Sequence, residues 1–316
     1  MDHPFISICI PTYQRAVLLK KLLDSILVQD FRNYEVLVND NSPDDSVHDL
    51  IRKYTDKLNI SYEKNDPAVS ATENCNRVIR RARATWIKVM HDDDWFEGAS
   101  ALQQFARAAE SCGKDFIFCA SNQVYLETNK KTKEKLSEER KKILDDSVFS
   151  LFYLNVIGHP SVVMHKKDAY IEYDNGFHWV LDIDFYTRYM NAHPGYHYIP
   201  DTLVNIGKGP GQESGKYYKN PLVEIPEYFK LLAKYDPELH LKDKYVFHLV
   251  WNMCRRYHIE QVNQIHALGY DGRMPEKLQE IIDCQKHIPE LILKQRPWSE
   301  LLMKWCFKRL SQGLNR

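Results

Sequence analysis

Apolar and polar residues alternate along the chain with two different periods. Phe5–Ile10 is a short β-branched apolar run, the pattern of a buried strand. Residues 16–28 (AVLLKKLLDSILV) carry apolar positions at helical spacing, with Lys20, Lys21 and Asp24 on the other face. The same reading gives a strand at 34–39, a helix near 44–55, a strand near 58–62 and a helix near 72–84. A strand at 86–91, a helix near 98–111 and a strand at 115–120 follow. Strand–helix alternation predicts a mostly parallel sheet covered by helices on both faces, with ligands beyond the carboxyl ends of the strands. The loops that matter are then 11–15, 39–46 and 91–96.

Later segments are less regular. Residues 129–142 (NKKTKEKLSEERKK) hold dense mixed charge and predict a solvated helix or loop. A helix near 147–155, a strand near 161–165, a helix near 182–191 and a strand near 196–199 come next. Residues 207–215 (GKGPGQESG) read as a glycine-rich loop, and from about 221 onward the period is helical. The expected division is 1–112, an α/β part; 113–220, the rest of the same domain; and 221–316, a C-terminal helical region.

Composition narrows the classes. Lys and Arg number 43 against 43 Asp and Glu, so no basic excess exists to displace counterions from nucleic acid, and no nucleic-acid partner is expected. Seven scattered cysteines without a C-x-x-C spacing argue for reduced thiols rather than a disulfide framework or zinc site. No apolar run approaches the length of a membrane span, and the first residues lack a signal-peptide pattern. The expectation is a cytoplasmic protein, soluble or lying on the inner face of the membrane. The segment 289–316 bears on that choice, with six Lys/Arg against two Glu and Trp298, Leu301, Leu302 and Trp305 at i, i+3, i+4 and i+7. Such a helix either lies on a membrane surface or packs on the core.

Candidate chemistry sits in the predicted loops. His91-Asp92-Asp93-Asp94-Trp95 follows a strand, and three successive carboxylates at a strand's carboxyl end suit a hard divalent cation held with substrate phosphates. An exposed acidic turn is the plain structural alternative. Asn39-Asp40-Asn41-Ser42 ends the second strand, where a carboxylate accepts a ligand N–H or shapes a turn. Pro11-Thr12-Tyr13 ends the first, where Tyr13 offers a ring for stacking.

Together these segments resemble the family-2 inverting glycosyltransferases, which have the GT-A fold. ISICIPTYQR is similar to that family's first strand and nucleotide loop, and VLVNDNSPDD to its second strand and turn. NCNRVIRRARATWIKVMHDDDWF is similar to its Asn-bearing helix and D-x-D strand. The resemblance covers residues 5–97 closely and extends loosely to about 215.

It implies that 1–112 binds the nucleotide sugar and 113–220 the acceptor, with nucleotide-sugar contacts from Pro11, Thr12, Tyr13, Asp40, Asn76, Asp92 and Asp94. It places Mn²⁺ or Mg²⁺ on Asp93, with Asp92 or Asp94 assisting. His91 stands where many members have an Asp, so the ligand register is open between 91–93 and 92–94. Asn39 and Asn41 depart from the usual turn and leave the base open.

LDIDFYTR (181–188) resembles the segment that carries the catalytic base, which assigns that role to Asp182, with Asp184 as runner-up. Asp182 also suits the first turn of a helix. His159 is a candidate for the acceptor pocket, and Lys208 for the diphosphate. The implied activity moves one sugar from a UDP- or dTDP-linked donor to a hydroxyl of a glycan or lipid-linked acceptor, in O-antigen- or capsule-like synthesis. Two competitors remain. A nucleotidyltransferase or sugar-nucleotide pyrophosphorylase would normally show a Gly-rich first loop, which PTYQR lacks. A non-catalytic nucleotide- or carbohydrate-binding module would not need the acidic triplet.

Overall fold

The computed structural model describes residues 3–209 and 214–312. They form two compact units. The first takes in the chain to Glu138, Ile157–Gly176 and the stretch from Phe185 onward through the last strand. The second takes in Glu139–Val156, Phe177–Asp184 and residues 214–312.

The first unit is an α/β sheet structure. Its opening elements are β1 (Ile6–Thr12), α1 (Ala16–Leu27), β2 (Tyr34–Asp40), α2 (Ser46–Ile51), β3 (Ile60–Lys64), α3 (Ala71–Arg80) and β4 (Trp86–Val89). β5 (Trp95–Phe96), α4 (Ala101–Ser111), β6 (Phe116–Tyr125) and β7 (Lys131–Glu134) follow. β1 and β2 are buried almost throughout, as continuous apolar strands between helix layers should be. α1 turns Leu19, Leu22, Leu23 and Ile26 inward. α3 starts where the Ser70 hydroxyl accepts the Glu73 N–H at 3.0 Å, a side-chain N-cap.

The other elements are α5 (Glu138–Asp146), α6 (Ser150–Tyr153), β8 (Val163–Lys166), α7 (Leu181–Ala192) and β9 (His197–Lys208). The sheet has nine strands in the order β3-β2-β1-β4-β8-β6-β9-β5, with β7 beside β6. β3, β2, β1 and β4 form the parallel block that the alternation predicts. β6 and β9 are also parallel, while β8, β5 and β7 join antiparallel. The parallel register sets Thr12 beside Asp40 and Cys9 beside Val89. Three strand ends therefore open on one edge, which is where the candidate loops emerge.

Several boundaries differ from the sequence reading. The helix expected to 84 ends at Arg80, and Arg81 turns back to donate to the Val38 carbonyl at 3.1 Å and to the Asn39 side chain. The charged stretch 129–142 is divided between the exposed strand β7 and α5. The strand expected at 196–199 runs on to Lys208, because β6 and β5 supply hydrogen-bonding partners on both sides. It thereby absorbs the start of the expected loop 207–215, of which 210–213 lie outside the described residues.

The second unit is helical. Besides α5 and α6 it holds α8 (Ser214–Tyr217), α9 (Pro221–Leu232), α10 (Leu239–Lys242), α11 (Lys244–Arg256) and α12 (Asn263–Ala267). α13 (Leu278–Lys286), α14 (Glu290–Lys294) and α15 (Arg296–Ser311) complete it. α11 buries Val246, Phe247, Val250, Trp251 and Cys254, and the Asp243 carboxylate caps it by accepting from Tyr245 and Val246 N–H. α15 buries Ser299, Met303, Cys306 and Leu310, and exposes Trp298 (56%), Leu301 (59%) and Trp305 (58%). This helix packs on its own unit and also presents an apolar stripe, so the two readings of 289–316 are not exclusive; residues 313–316 lie outside the described chain. Among the described residues no helix is long and apolar enough to cross a membrane.

Candidate active site

β4 ends at Val89, and the chain turns through His91-Asp92-Asp93-Asp94 before β5 pairs with β9, Trp95 opposite Asn205. The acidic loop is therefore strung between the parallel block and the mixed half of the sheet. Its backbone is held firmly where it leaves β4. The Met90 N–H donates to the Cys9 carbonyl at 2.9 Å, and the His91 N–H to the Ser161 hydroxyl at 2.9 Å.

The three carboxylates are held differently. Asp92 faces the first loop, where its Oδ2 accepts from the Thr12 hydroxyl at 2.8 Å and the Tyr13 N–H at 3.3 Å. The Arg15 guanidinium lies 3.3 Å from Asp92 and 3.0 Å from Asp93. Asp94 is buried, accepting from the Gly207 N–H at 3.0 Å and from the Ser161 hydroxyl. Burial lifts the Asp92 carboxyl to about 6, with Arg15 pulling the other way and Asp93 adding to the rise. Burial, then the neighbouring Asp93 charge, lift Asp94 to about 8.

Ligand atoms of His91, Asp93 and Asp94 all lie within 4.8 Å of one another. One imidazole nitrogen and two carboxylates, one of them pushed up to about 8 by burial and by the other's charge, suit a divalent cation. The residues present fit a metal. Of the two assisting carboxylates left open by the sequence, Asp94 joins Asp93 in this cluster, while Asp92 is turned to Thr12, Tyr13 and Arg15.

Beside the cluster, the half-buried Lys208 ammonium donates to His159 Nε2 at 3.1 Å. Burial lowers the Lys208 pKa, and Asp94 and Asp93 oppose that shift. Burial and the Lys208 charge push His159 down to about 3, so its ring is neutral. His159 and Lys208, far apart in sequence, thus form one pair at the acidic loop.

Asp40 is fully buried; its Oδ1 accepts the Ser42 N–H and its Oδ2 the Tyr62 hydroxyl, each at 2.8 Å. Pro11 lies half-buried on β1 opposite Asn39, and Tyr13 is exposed. Asn76 lies buried on α3. Its amide is committed to the Tyr173 backbone, donating to the carbonyl at 2.8 Å and accepting the N–H at 2.9 Å. It clamps the segment after β8 rather than offering groups to a ligand.

Asp182 and Asp184 begin α7 and belong to the second unit. Asp184 is fully buried and paired with Lys234 at 2.6 Å, whose ammonium also lies 4.4 Å from the Phe177 ring centre. Asp182 is half-buried and makes no hydrogen bond or ion pair with any described residue. Burial alone lifts its carboxyl to about 7. Asp184 thus serves structure, and Asp182 is left with the pKa of a base working near neutrality.

Arg15, Ser161 and Gly207 contribute here without having been singled out in the sequence. A Cβ on Gly207 would stand 2.3 Å from the Asp93 carbonyl oxygen, so only glycine lets β9 pass this close. Arg15 stood inside the quoted PTYQR, yet its partners lie 77 and 78 residues away.

The comparisons with known proteins agree with this architecture. The family described as Glycosyl transferase family 2 matches residues 7–174, more than half of the chain. The chain belongs to glycosyl transferase family 2. That match spans the loops after β1 and β4, the α5–α6 segment and β8, and stops before α7 and the later helices. An uncharacterized glycosyltransferase of Rickettsia typhi is 24% identical over 204 residues, which covers 61% of this chain and 61% of the relative. The chain spans about three fifths of the length of the curated relatives it matches. Among solved structures, S. aureus TarS 1–349 in complex with UDP-GlcNAc aligns with a TM-score of 0.60 at 16% identity, over 98% of this chain and 91% of that one. Mannosyltransferase PcManGT from Pyrobaculum calidifontis, in complex with GDP-Man and Mn²⁺, aligns with a TM-score of 0.54 at 15% identity, over 100% and 88%. These solved structures share the fold along nearly the whole chain.

Proposed function

We propose that this chain is a metal-dependent inverting glycosyltransferase that moves one sugar from a UDP- or dTDP-linked donor to a hydroxyl of a glycan or lipid-linked acceptor. The observation that carries the reading is the cluster of His91, Asp93 and Asp94 at the strand ends, beside the Thr12–Asp92 contact. Family membership and the UDP-GlcNAc and GDP-Man complexes of the similar solved structures support a nucleotide-sugar donor. The family match also runs against the nucleotidyltransferase alternative.

In this reading His91, Asp93 and Asp94 hold Mn²⁺ or Mg²⁺, which would offset the charge of the leaving diphosphate. Imidazole in the ligand set favours Mn²⁺. Thr12, Tyr13 and Asp40 hold the nucleoside end, Lys208 supports a phosphate oxygen, and Arg15 ties Asp92 to Asp93. Asp182 takes the proton from the acceptor hydroxyl as that oxygen attacks the donor's anomeric carbon, and one displacement inverts the configuration there. His159 is assigned to the same pair as Lys208 rather than to acceptor recognition.

A place at the inner face of the membrane, in surface-polysaccharide synthesis, is proposed from α15. Its exposed Trp298, Leu301 and Trp305 are flanked by exposed Lys304, Lys308 and Arg309, a combination suited to an anionic lipid surface. The transfer reading is tested by incubating the protein with a panel of UDP- and dTDP-sugars and Mn²⁺, and reading sugar release to water by mass spectrometry and NMR. Release of a sugar of inverted anomeric configuration from one of them is expected. No release from any donor, with retention of the fold, would reject it.

A further inference from the structure

A cavity of about 570 Å³ opens where β6, β7 and the end of β9 meet, and the donor reading uses none of it except Lys208. Strand register explains its composition. Gln123 lies opposite Thr132 on β7, and Tyr125 opposite Lys208 on β9, so these four side chains share one face of the sheet. Thr128 and Glu134 complete the lining. A sheet face beside a core is ordinarily apolar; this one carries an amide, a phenol, hydroxyls, a carboxylate and an ammonium.

Three details narrow what it takes. The Gln123 side-chain oxygen is buried and has no hydrogen-bond partner among the described residues, which costs stability unless a donor arrives from outside. The Tyr125 ring is 46% exposed, open to a flat apolar face. Glu127 and Glu134 also line the cavity against the one ammonium of Lys208, a balance that disfavours phosphate or carboxylate ligands. What remains is a neutral ligand rich in hydroxyls with one C–H face.

We infer that this cavity is a carbohydrate subsite, in which a pyranose stacks on Tyr125 and donates a hydroxyl to Gln123, while Thr132 and Thr128 bond further hydroxyls. Lys208 joins it to the acidic loop through its contact with His159. The inference rests on the transfer reading only for whose sugar sits there, the donor's or the acceptor's.

The test is saturation-transfer NMR on the full chain with UDP and Mg²⁺, using free glucose, galactose and N-acetylglucosamine as probes. Wild type should transfer saturation to at least one of them. Gln123→Leu and Tyr125→Ala should each cut that signal by roughly fivefold or more, the loss of about one hydrogen bond or stacking contact. UDP affinity should stay within about twofold, and Gln123→Leu should melt no lower than wild type, because it removes an unpaired buried carbonyl. Replacing UDP by UDP-N-acetylglucosamine separates the sources: a lost free-sugar signal assigns the cavity to the donor's sugar, a retained one to the acceptor. Absence of signal with all three sugars, or equal signal in the variants, overturns the inference. Failure of wild type to bind either UDP or dTDP with Mg²⁺ or Mn²⁺ would instead reject the transfer reading, leaving the sugar signals to judge the cavity.

Discussion

Asp182 and Asp184 stand two residues apart in the same helical turn, and their surroundings give them opposite work. Asp182→Asn keeps the size and polarity of the side chain but removes its basicity, so transfer should fall about 10²–10⁴-fold with donor affinity unchanged. kcat with titration of donor binding separates the two effects. Because the Asp182 carboxyl sits at about 7 and must be ionised to act, the rate should fall about tenfold per pH unit below that value. The acid limb should vanish in Asp182→Asn; an unchanged limb would move the base elsewhere. Asp184→Asn leaves Lys234 without its buried partner and should cost on the order of 3 kcal/mol in denaturant unfolding, the lower end for a buried pair because Lys234 reaches the surface. A helix beginning near Asp182 was legible in the sequence. The distinction between the two aspartates was not, since it depends on Lys234, fifty residues away.

Elements decide how the acidic loop is aimed. The parallel block was legible because its strands are continuous apolar runs between amphipathic helices. β7, β5 and the far half of β9 were not, because exposed or polar strand residues such as Lys131–Glu134 and Asn205 carry no apolar period. Gly207 read as a loop residue for the same reason. Its position predicts that Gly207→Ala drives β9 against the Asp93 carbonyl and shifts the metal ligands. Mn²⁺ affinity, measured by electron paramagnetic resonance, should drop about tenfold or more, in line with losing support behind a ligand. An unchanged affinity would mean that β9 yields freely and does not set the loop.

The whole molecule combines zero net charge with a local concentration of basic and aromatic side chains on α15. Composition alone could not separate a membrane-facing helix from a packed one, because this helix has a face for each. In flotation with vesicles containing anionic lipid at low salt, the full chain should rise with the vesicles. Trp298→Ala with Trp305→Ala should abolish this, and added salt should weaken it. Both tryptophans are exposed, so the unit should stay folded; flotation independent of them would remove α15 as the contact.

Under the proposed function, the acidic loop holds a cation on which nucleotide diphosphate binding depends. Calorimetric titration of UDP and dTDP into the full chain, with Mn²⁺ or with EDTA, tests it most directly when repeated on Asp93→Ala. Binding of one nucleotide in Mn²⁺, lost in EDTA and lost in Asp93→Ala, is the predicted result. Equal affinity with Mn²⁺ and with EDTA would contradict it.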